Sequence, residues 1–331
     1  MDKVLVGLSG GVDSSVTAHI LREKGYHVVG LHLIIWKDET DRVAEIADRL
    51  GIEFQTADVR DEFRNVVIRY FVESYRKGLT PNPCALCNRE IKLRFMLEAA
   101  DRLGIKWVAT GHYLRVIDGM IYRGIDKSKD QSYFLALVPA AMVERLITPL
   151  GGLTKAEVVE MARKLGISRF VSSESQDVCF LQGTDLVSFL KEHIGDLPGE
   201  IVGPDGRVIG THPGTHYFTV GQRKGLGVAV GERVYVRAID PLARRVFLGY
   251  TARFKFMEVG ELNWFERPNS PFRAFIKIRQ LHRPAPGRVE VKGDRAVVEF
   301  DEPQWAPTPG QIAAFYVGDK LIGGGVIESY R

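Results

Sequence analysis

The run Lys3–Leu8 is short and apolar, and it breaks into Ser9-Gly10-Gly11-Val12-Asp13-Ser14-Ser15 before a helix-spaced stretch that reaches Lys24. This junction constrains the fold more than any other feature of the chain. A buried strand has to end, turn on two glycines and enter a helix within a few residues. Gly10 and Gly11 permit the tight turn and leave the backbone open to a ligand's close approach. The helix start beyond them offers unpaired N–H groups and the positive end of a dipole. Ser9, Ser14 and Ser15 add hydroxyl donors. Together these make a site for a phosphate or pyrophosphate. It is not a Walker A loop, because no lysine follows the glycines. Asp13 would repel a phosphate unless a cation lay between them, a role that Mg²⁺ would fill. An ordinary strand–turn–helix junction is the competing reading. The full Ser-Gly-Gly-x-Asp-Ser-Ser run weighs against it.

The first half continues to alternate. His27–Ile35, Ile52–Thr56 and Lys106–Thr110 read as strands. Asp41–Leu50, Glu62–Tyr75 and Asn88–Leu103 read as helices, and Thr154-Lys-Ala-Glu157 is a capping box that opens another. Such alternation predicts βαβ units and a mainly parallel, Rossmann-like α/β sheet. After about residue 195 the turn signals Pro198-Gly199, Pro204-Asp205-Gly206 and Pro213-Gly214 separate short runs. Val228–Ile239, Arg245–Leu248, Phe275–Ile278, Arg288–Val291, Ala296–Phe300 and Ile312–Val317 read as strands of small β-domains. The expected division is 1–194 for the catalytic domain, 195–256 for a small central β-rich domain and 257–331 for a C-terminal β-barrel.

The 331 residues are 45% hydrophobic and 26% charged, the balance of a soluble globular protein. No apolar run is long enough to span a bilayer and no leader pattern opens the chain, so a cytoplasmic location without membrane attachment is expected. The net charge of +4 permits a nucleic-acid partner without requiring one.

The three cysteines, Cys84, Cys87 and Cys179, are too few and too odd in number for a disulfide framework. Cys84 and Cys87 lie in Thr80-Pro81-Asn82-Pro83-Cys84-Ala85-Leu86-Cys87-Asn88, a proline-stiffened loop ahead of the helix expected at Asn88. That position predicts a lowered thiol pKa at Cys87. Cys179 lies in Ser175-Gln176-Asp177-Val178-Cys179-Phe180, before a helix expected near Thr184. One thiol could carry a sulfane sulfur as a persulfide, and another could attack it and leave a disulfide. Buried small hydrophobes, or part of a zinc site completed by a histidine, are the alternatives.

The Ser9–Ser15 loop resembles the pyrophosphate loop of adenine nucleotide α-hydrolase-like enzymes, which adenylate a carbonyl oxygen. Nearly the whole chain is similar to the tRNA-specific 2-thiouridylases. The matching segments include Val6–Ser15, Thr80–Pro83, Leu86–Asn88, Thr110–Tyr113 and Lys129-Asp-Gln-Ser-Tyr-Phe-Leu135. They continue through Gly152–Glu157, Val178–Phe180, Gly221-Gln-Arg-Lys-Gly-Leu-Gly227, Pro309–Gln311 and Gly323–Ile327.

The resemblance implies ATP-dependent 2-thiolation of the wobble uridine of tRNAs for lysine, glutamate and glutamine, in a monomer. Sulfur would come from a cysteine desulfurase or sulfur-relay protein. Gly7, Leu8, Ser9, Gly10, Gly11, Val12, Asp13 and Ser14 would cradle ATP, with Leu33 and Gly111 lining its pocket. Cys179 would carry the persulfide, and Cys87 would form a disulfide with it as sulfur is released. Asn82, Pro83 and Cys84 would lie at the target base. His112, Lys129, Asp130, Gln131, Lys277, Ile278 and Gln311 would contact tRNA.

By residue type, Lys129, Arg223, Lys224, Lys277 and Arg279 are candidate phosphate contacts, although each alone reads first as a solvated surface charge. The tryptophans read as packing residues. Where the family pattern has aspartate, this chain has Cys84. Cys84, Cys87 and Cys179 could therefore hold a [4Fe-4S] cluster with one open iron, an alternative to the persulfide. The chain is also shorter than typical members after Trp36. Two other readings stand beside the main one: another adenylating enzyme of the same loop class, and a non-catalytic ATP-gated RNA-binding protein.

Overall fold

The structure, a computed structural model, describes residues 2–167 and 178–331, so Ser175–Asp177 lie outside the described residues. Strands β1 (Lys3–Gly7), β2 (His27–Ile34), β3 (Glu53–Asp58) and β4 (Trp107–Ala109) join the short strand Leu146–Ile147 in one parallel sheet. Its order is β3-β2-β1-β4 and then Leu146–Ile147. β1 lies at the centre because it is apolar on both sides. Val4 and Val6 pack into one core while Leu5 packs into the other, the pattern of a strand covered on two faces. Helices α1 (Val12–Glu23) and α2 (Thr40–Leu50) cover one face, and α2 ends on Gly51 in a left-handed cap at φ 57°. The Thr154 capping box forms as expected, with Glu157 answering Thr154. Strand order reverses between β1 and β4, and ligands of open α/β sheets bind at such a reversal.

Gly199–Val202, Val208–His212, Tyr235–Asp240 and Arg245–Gly249 make the small central sheet. Of the strand expected over Val228–Ile239, only the part from Tyr235 forms. The earlier part is irregular, with Gly227 and Gly231 at positive φ. Six strands then close into an antiparallel barrel, from Arg253–Trp264 round to Lys320–Tyr330 and back. The strand Arg253–Trp264 begins ahead of residue 257. Lys320–Tyr330 is one continuous strand through Gly323, Gly324 and Gly325. A Cβ on Gly323 or Gly325 would stand 2.5 Å from a neighbouring carbonyl oxygen, so this closure needs bare backbone.

A hairpin of Leu114–Ile117 and Met120–Arg123 leaves the first domain and pairs with the barrel through Tyr122 and Lys320. Among the described residues no helix is long and apolar enough to cross a membrane.

Candidate functional site

The loop after β1 and the loop after β4 face each other across the strand reversal. Gly10 takes φ +73°, and Gly11 caps α1. Ser14 Oγ donates to the Gly11 carbonyl at 3.0 Å and accepts from the Ser9 N–H at 3.2 Å, which fixes the loop. A Cβ on Gly111 would lie 2.9 Å from the Asp13 carbonyl carbon, so only glycine lets the β4 loop approach the start of α1. Between them is a cleft of ≈ 270 Å³. Gly7, Leu8, Ser9, Asp13, Ser14, Leu33 and Gly111 line it, as do His112 and Gln131. Gly10, Gly11 and Val12 belong to the loop without lining the cleft, and Val12 is buried beneath it.

Asp13 already has cationic company. Lys155 Nζ donates to its two carboxylate oxygens at 2.7 and 3.0 Å, and Tyr113 Oη donates at 2.8 Å. The carboxylate expected to meet Mg²⁺ is thus paired with an ammonium. Arg42 reaches over the loop from α2, its Cδ 3.3 Å from where a Cβ on Gly10 would be. Sequence reasoning gave Lys155 no role although it stands in a quoted motif. Arg42 had no motif to mark it.

Cys84 and Cys87 are placed differently from expectation. The helix starts at Pro83, not Asn88, because Asn82 caps it by accepting from the Ala85 N–H at 3.1 Å. Cys84 therefore occupies the first turn, and Cys87 lies inside the helical run. Burial among apolar side chains pushes the Cys87 thiol up to about 12, against the pull of the Lys92 ammonium. The expected lowering at Cys87 is overturned.

Cys84 and Cys179 are solvent-exposed, yet the surrounding protein raises both thiols as well. Phe180 holds Cys179 in place. It packs edge-on against Phe71 at 5.0 Å and Trp36 at 6.4 Å, in the same core cluster that buries Cys87. All three cysteines are free, within electrostatic reach of one another. Among the described residues no group of three or more His, Cys, Asp or Glu side chains is gathered to hold a metal ion. The [4Fe-4S] alternative does not fit this arrangement.

Lys92 joins the two halves of the site. It lines the nucleotide cleft, and its charge acts on Cys84, Cys87, Cys179 and His112. Burial opposes its ammonium, while thiolate charge on the three cysteines favours it, with a net rise above the ordinary lysine value. Burial lowers His112 to about 3, with Lys92 adding to the effect, so His112 is a neutral imidazole. Its Nδ1 is 2.8 Å from Thr110 Oγ1.

Several expected RNA contacts are at a protein seam instead. Asp130, Lys277 and Ile278 are 1%, 5% and 0% exposed. Asp130 accepts from the N–H groups of Gly124 and Ser132 and lies 3.5 Å from Arg123 and 3.9 Å from Lys277. Gln311 donates to the Thr80 and Pro81 carbonyls at 2.9 and 3.0 Å, tying the barrel to the loop ahead of Cys84. Arg279 is a half-buried brace that donates to the Val220 carbonyl. Lys129 is half-buried, and Arg223 and Lys224 are exposed on the self-braced Gly221–Gly227 loop.

A parallel sheet with a phosphate-type loop at its strand reversal, followed by a small β unit and a closed barrel, defines a nucleotide-binding protein of the HUP class. Family models agree. Residues 2–183 match a tRNA methyl transferase HUP domain, 187–250 a tRNA methyl transferase PRC-barrel domain, and 254–327 an aminomethyltransferase beta-barrel domain. The tRNA-specific 2-thiouridylase MnmA of Carboxydothermus hydrogenoformans is 43% identical over 98% of this chain and 97% of its own. That of Chlorobium luteolum is 43% identical over 98% and 96%, and that of a Synechococcus strain 40% over 99% and 98%. The chain belongs to the tRNA-specific 2-thiouridylase family.

Proposed function

We propose that this enzyme uses ATP to replace the C2 oxygen of the tRNA wobble uridine with sulfur. One observation carries the reading: Lys92 lines the nucleotide cleft and rises from the same helical run as Cys84 and Cys87. An adenylating site and a sulfur-handling site are therefore one site. The family models carry the words methyl transferase and the relatives carry 2-thiouridylase. Three free thiols beside a pyrophosphate-type loop favour thiolation.

In this reading the Ser9–Ser14 loop holds ATP while the uridine O2 attacks the α-phosphorus. Pyrophosphate leaves, and the N3 proton is released. The terminal sulfur of a Cys179 persulfide then attacks C2, and the C2–O bond breaks so that oxygen departs with AMP. Cys87 gives up its thiol proton and attacks the Cys179 sulfur, forming a disulfide and leaving the electron pair on the sulfur now bound to C2, and a proton returns to N3. An external dithiol reductant resets the pair. Cys179 is exposed to receive sulfur from a donor such as a cysteine desulfurase, and Cys87 is buried beside it, away from competing oxidants. Tyr113 and Lys155 fix Asp13 and with it the start of α1. Substrates are the tRNAs for lysine, glutamate and glutamine.

The test is incubation with unmodified tRNA, ATP, cysteine and a cysteine desulfurase, followed by mass spectrometry of the nucleosides. Wobble 2-thiouridine that depends on ATP and on Cys179 is expected. Its absence would sink the reading. Thiouridine made by Cys179→Ala would remove Cys179 as the sulfur carrier, and a wild type that makes none would return the chain to the ATP-gated RNA-binding or amidating alternatives.

A further inference from the structure

We propose that Lys92 bridges two charges, its ammonium serving the departing adenylate on one side and the incoming sulfur on the other. The inference rests on the thiolation reading above. Lys92 lines the nucleotide cleft together with Ser9, Asp13 and Gly111. It rises from the same helical run as Cys84 and Cys87. In a regular α-helix, residues 87 and 92 would point about 140° apart. The run is not regular there. A π-turn spans Asn88–Leu93, and its i→i+5 pairing narrows that angle, so one side chain can face both the cleft and the thiols. Phe180 completes the arrangement by fixing Cys179 against the core that also holds Cys87. The resulting field of Lys92 acts on each of the three thiols and on His112 beside the cleft.

The chemistry gives such a cation a defined task. When sulfur attacks C2 and the C2–O bond breaks, the electron pair leaves with oxygen on AMP. Negative charge moves from the sulfur to the phosphate monoester. An ammonium held near both stabilises the charge throughout its movement, without reorganisation at the moment of reaction. Formation of the adenylate, in contrast, leans on the Ser9–Ser14 loop and Lys155, which remain in place without Lys92.

The experiment follows the two half-reactions separately. Wild type, Lys92→Met and Lys92→Arg are compared in single turnovers with a tRNA transcript, ATP, cysteine and a cysteine desulfurase. Pyrophosphate, adenylated tRNA and thiouridine are each measured. Methionine keeps the apolar stem, so an unchanged Tm is expected. Lys92→Met should form thiouridine about 100-fold more slowly, with a clearly smaller fall in pyrophosphate release, and accumulate adenylated tRNA. Lys92→Arg should recover to within about tenfold, since the charge is kept but its geometry is not. Two outcomes overturn the inference: thiouridine formation by Lys92→Met near the wild-type rate, or an equal fall in pyrophosphate and thiouridine. A wild type that releases pyrophosphate but makes no thiouridine removes the thiolation reading itself.

Discussion

Asp13 receives hydrogen bonds from Lys155 and Tyr113, and Lys155 is the partner that cancels its charge. Without that ammonium, a carboxylate would face the phosphates of ATP. Lys155→Met should therefore weaken ATP binding about tenfold to a hundredfold, and Asp13→Asn in the same chain should restore part of the loss. Isothermal titration of the two variants and their combination decides it; additive losses would show that Lys155 does not act through Asp13. A second residue-scale expectation concerns the thiols. The unfolded Cys87 thiol ionises near pH ~8.5, but burial holds the folded one at about 12. The folded state thus keeps a proton that the unfolded state gives up. Stability from this group is complete below pH ~8.5 and is lost as pH climbs toward the folded value. At pH 8, iodoacetamide should label Cys84 and Cys179 at least about tenfold faster than Cys87, in proportion to access and thiolate fraction. Peptide mass spectrometry reads the three rates, and early labelling of Cys87 would contradict the buried assignment.

The loops after β1 and β4 touch only because Gly111 has no side chain. Gly111→Ala puts a methyl group 2.9 Å from the Asp13 carbonyl carbon and 3.1 Å from the Ser14 nitrogen, both backbone atoms that cannot swing aside. The start of α1 must shift, at about 1–3 kcal/mol, with loss of ATP binding. A lowered urea midpoint together with abolished ATP binding is expected, and full ATP binding would exclude the close approach. Sequence legibility divides along the same line between local and distant contacts. The Ser9–Ser15 loop was legible because the strand, the turn glycines and the helix start are adjacent in the chain. The Thr154 box was legible for the same reason. The helix start at Pro83 was not, because prolines at 81 and 83 read as loop while Asn82 in fact caps a helix that admits Pro83 at its first position. The strand Lys320–Tyr330 was hidden by its three successive glycines, whose purpose exists only in the closed barrel. Lys92 was hidden because a regular helix would turn it away from Cys87, and nothing in Asn88–Leu93 announces a π-turn.

At the scale of the whole molecule, the first domain and the barrel share a buried seam. Asp130 is its centre, set between Arg123 of the hairpin and Lys277 of the barrel, and its backbone carbonyl accepts from Gln280 at 2.7 Å. Burial already pulls the Lys277 ammonium below the ordinary lysine value, and Asp130 opposes that pull. Nothing in the local sequence distinguishes such an aspartate from a surface contact, since the ion pair joins residues 130 and 277. Removing Asp130 leaves Lys277 buried with its countercharge gone. Asp130→Ala should cost about 3–5 kcal/mol of stability, whereas replacing both members by Asp130→Ala with Lys277→Met should cost less than the first change alone. Gln311 provides a parallel tie, from the barrel to the Thr80 and Pro81 carbonyls ahead of Cys84. The seam therefore bears on the position of the thiol-bearing helix as well as on cohesion. The nucleotide cleft meets it only through Gln131, so Asp130→Ala assayed below its unfolding temperature should lose less ATP affinity than tRNA thiolation. Denaturant titration, ATP binding and thiolation on the three variants test this directly. Equal loss of ATP binding and thiolation would mean that the seam supports the whole first domain and has no particular hold on the thiol-bearing helix.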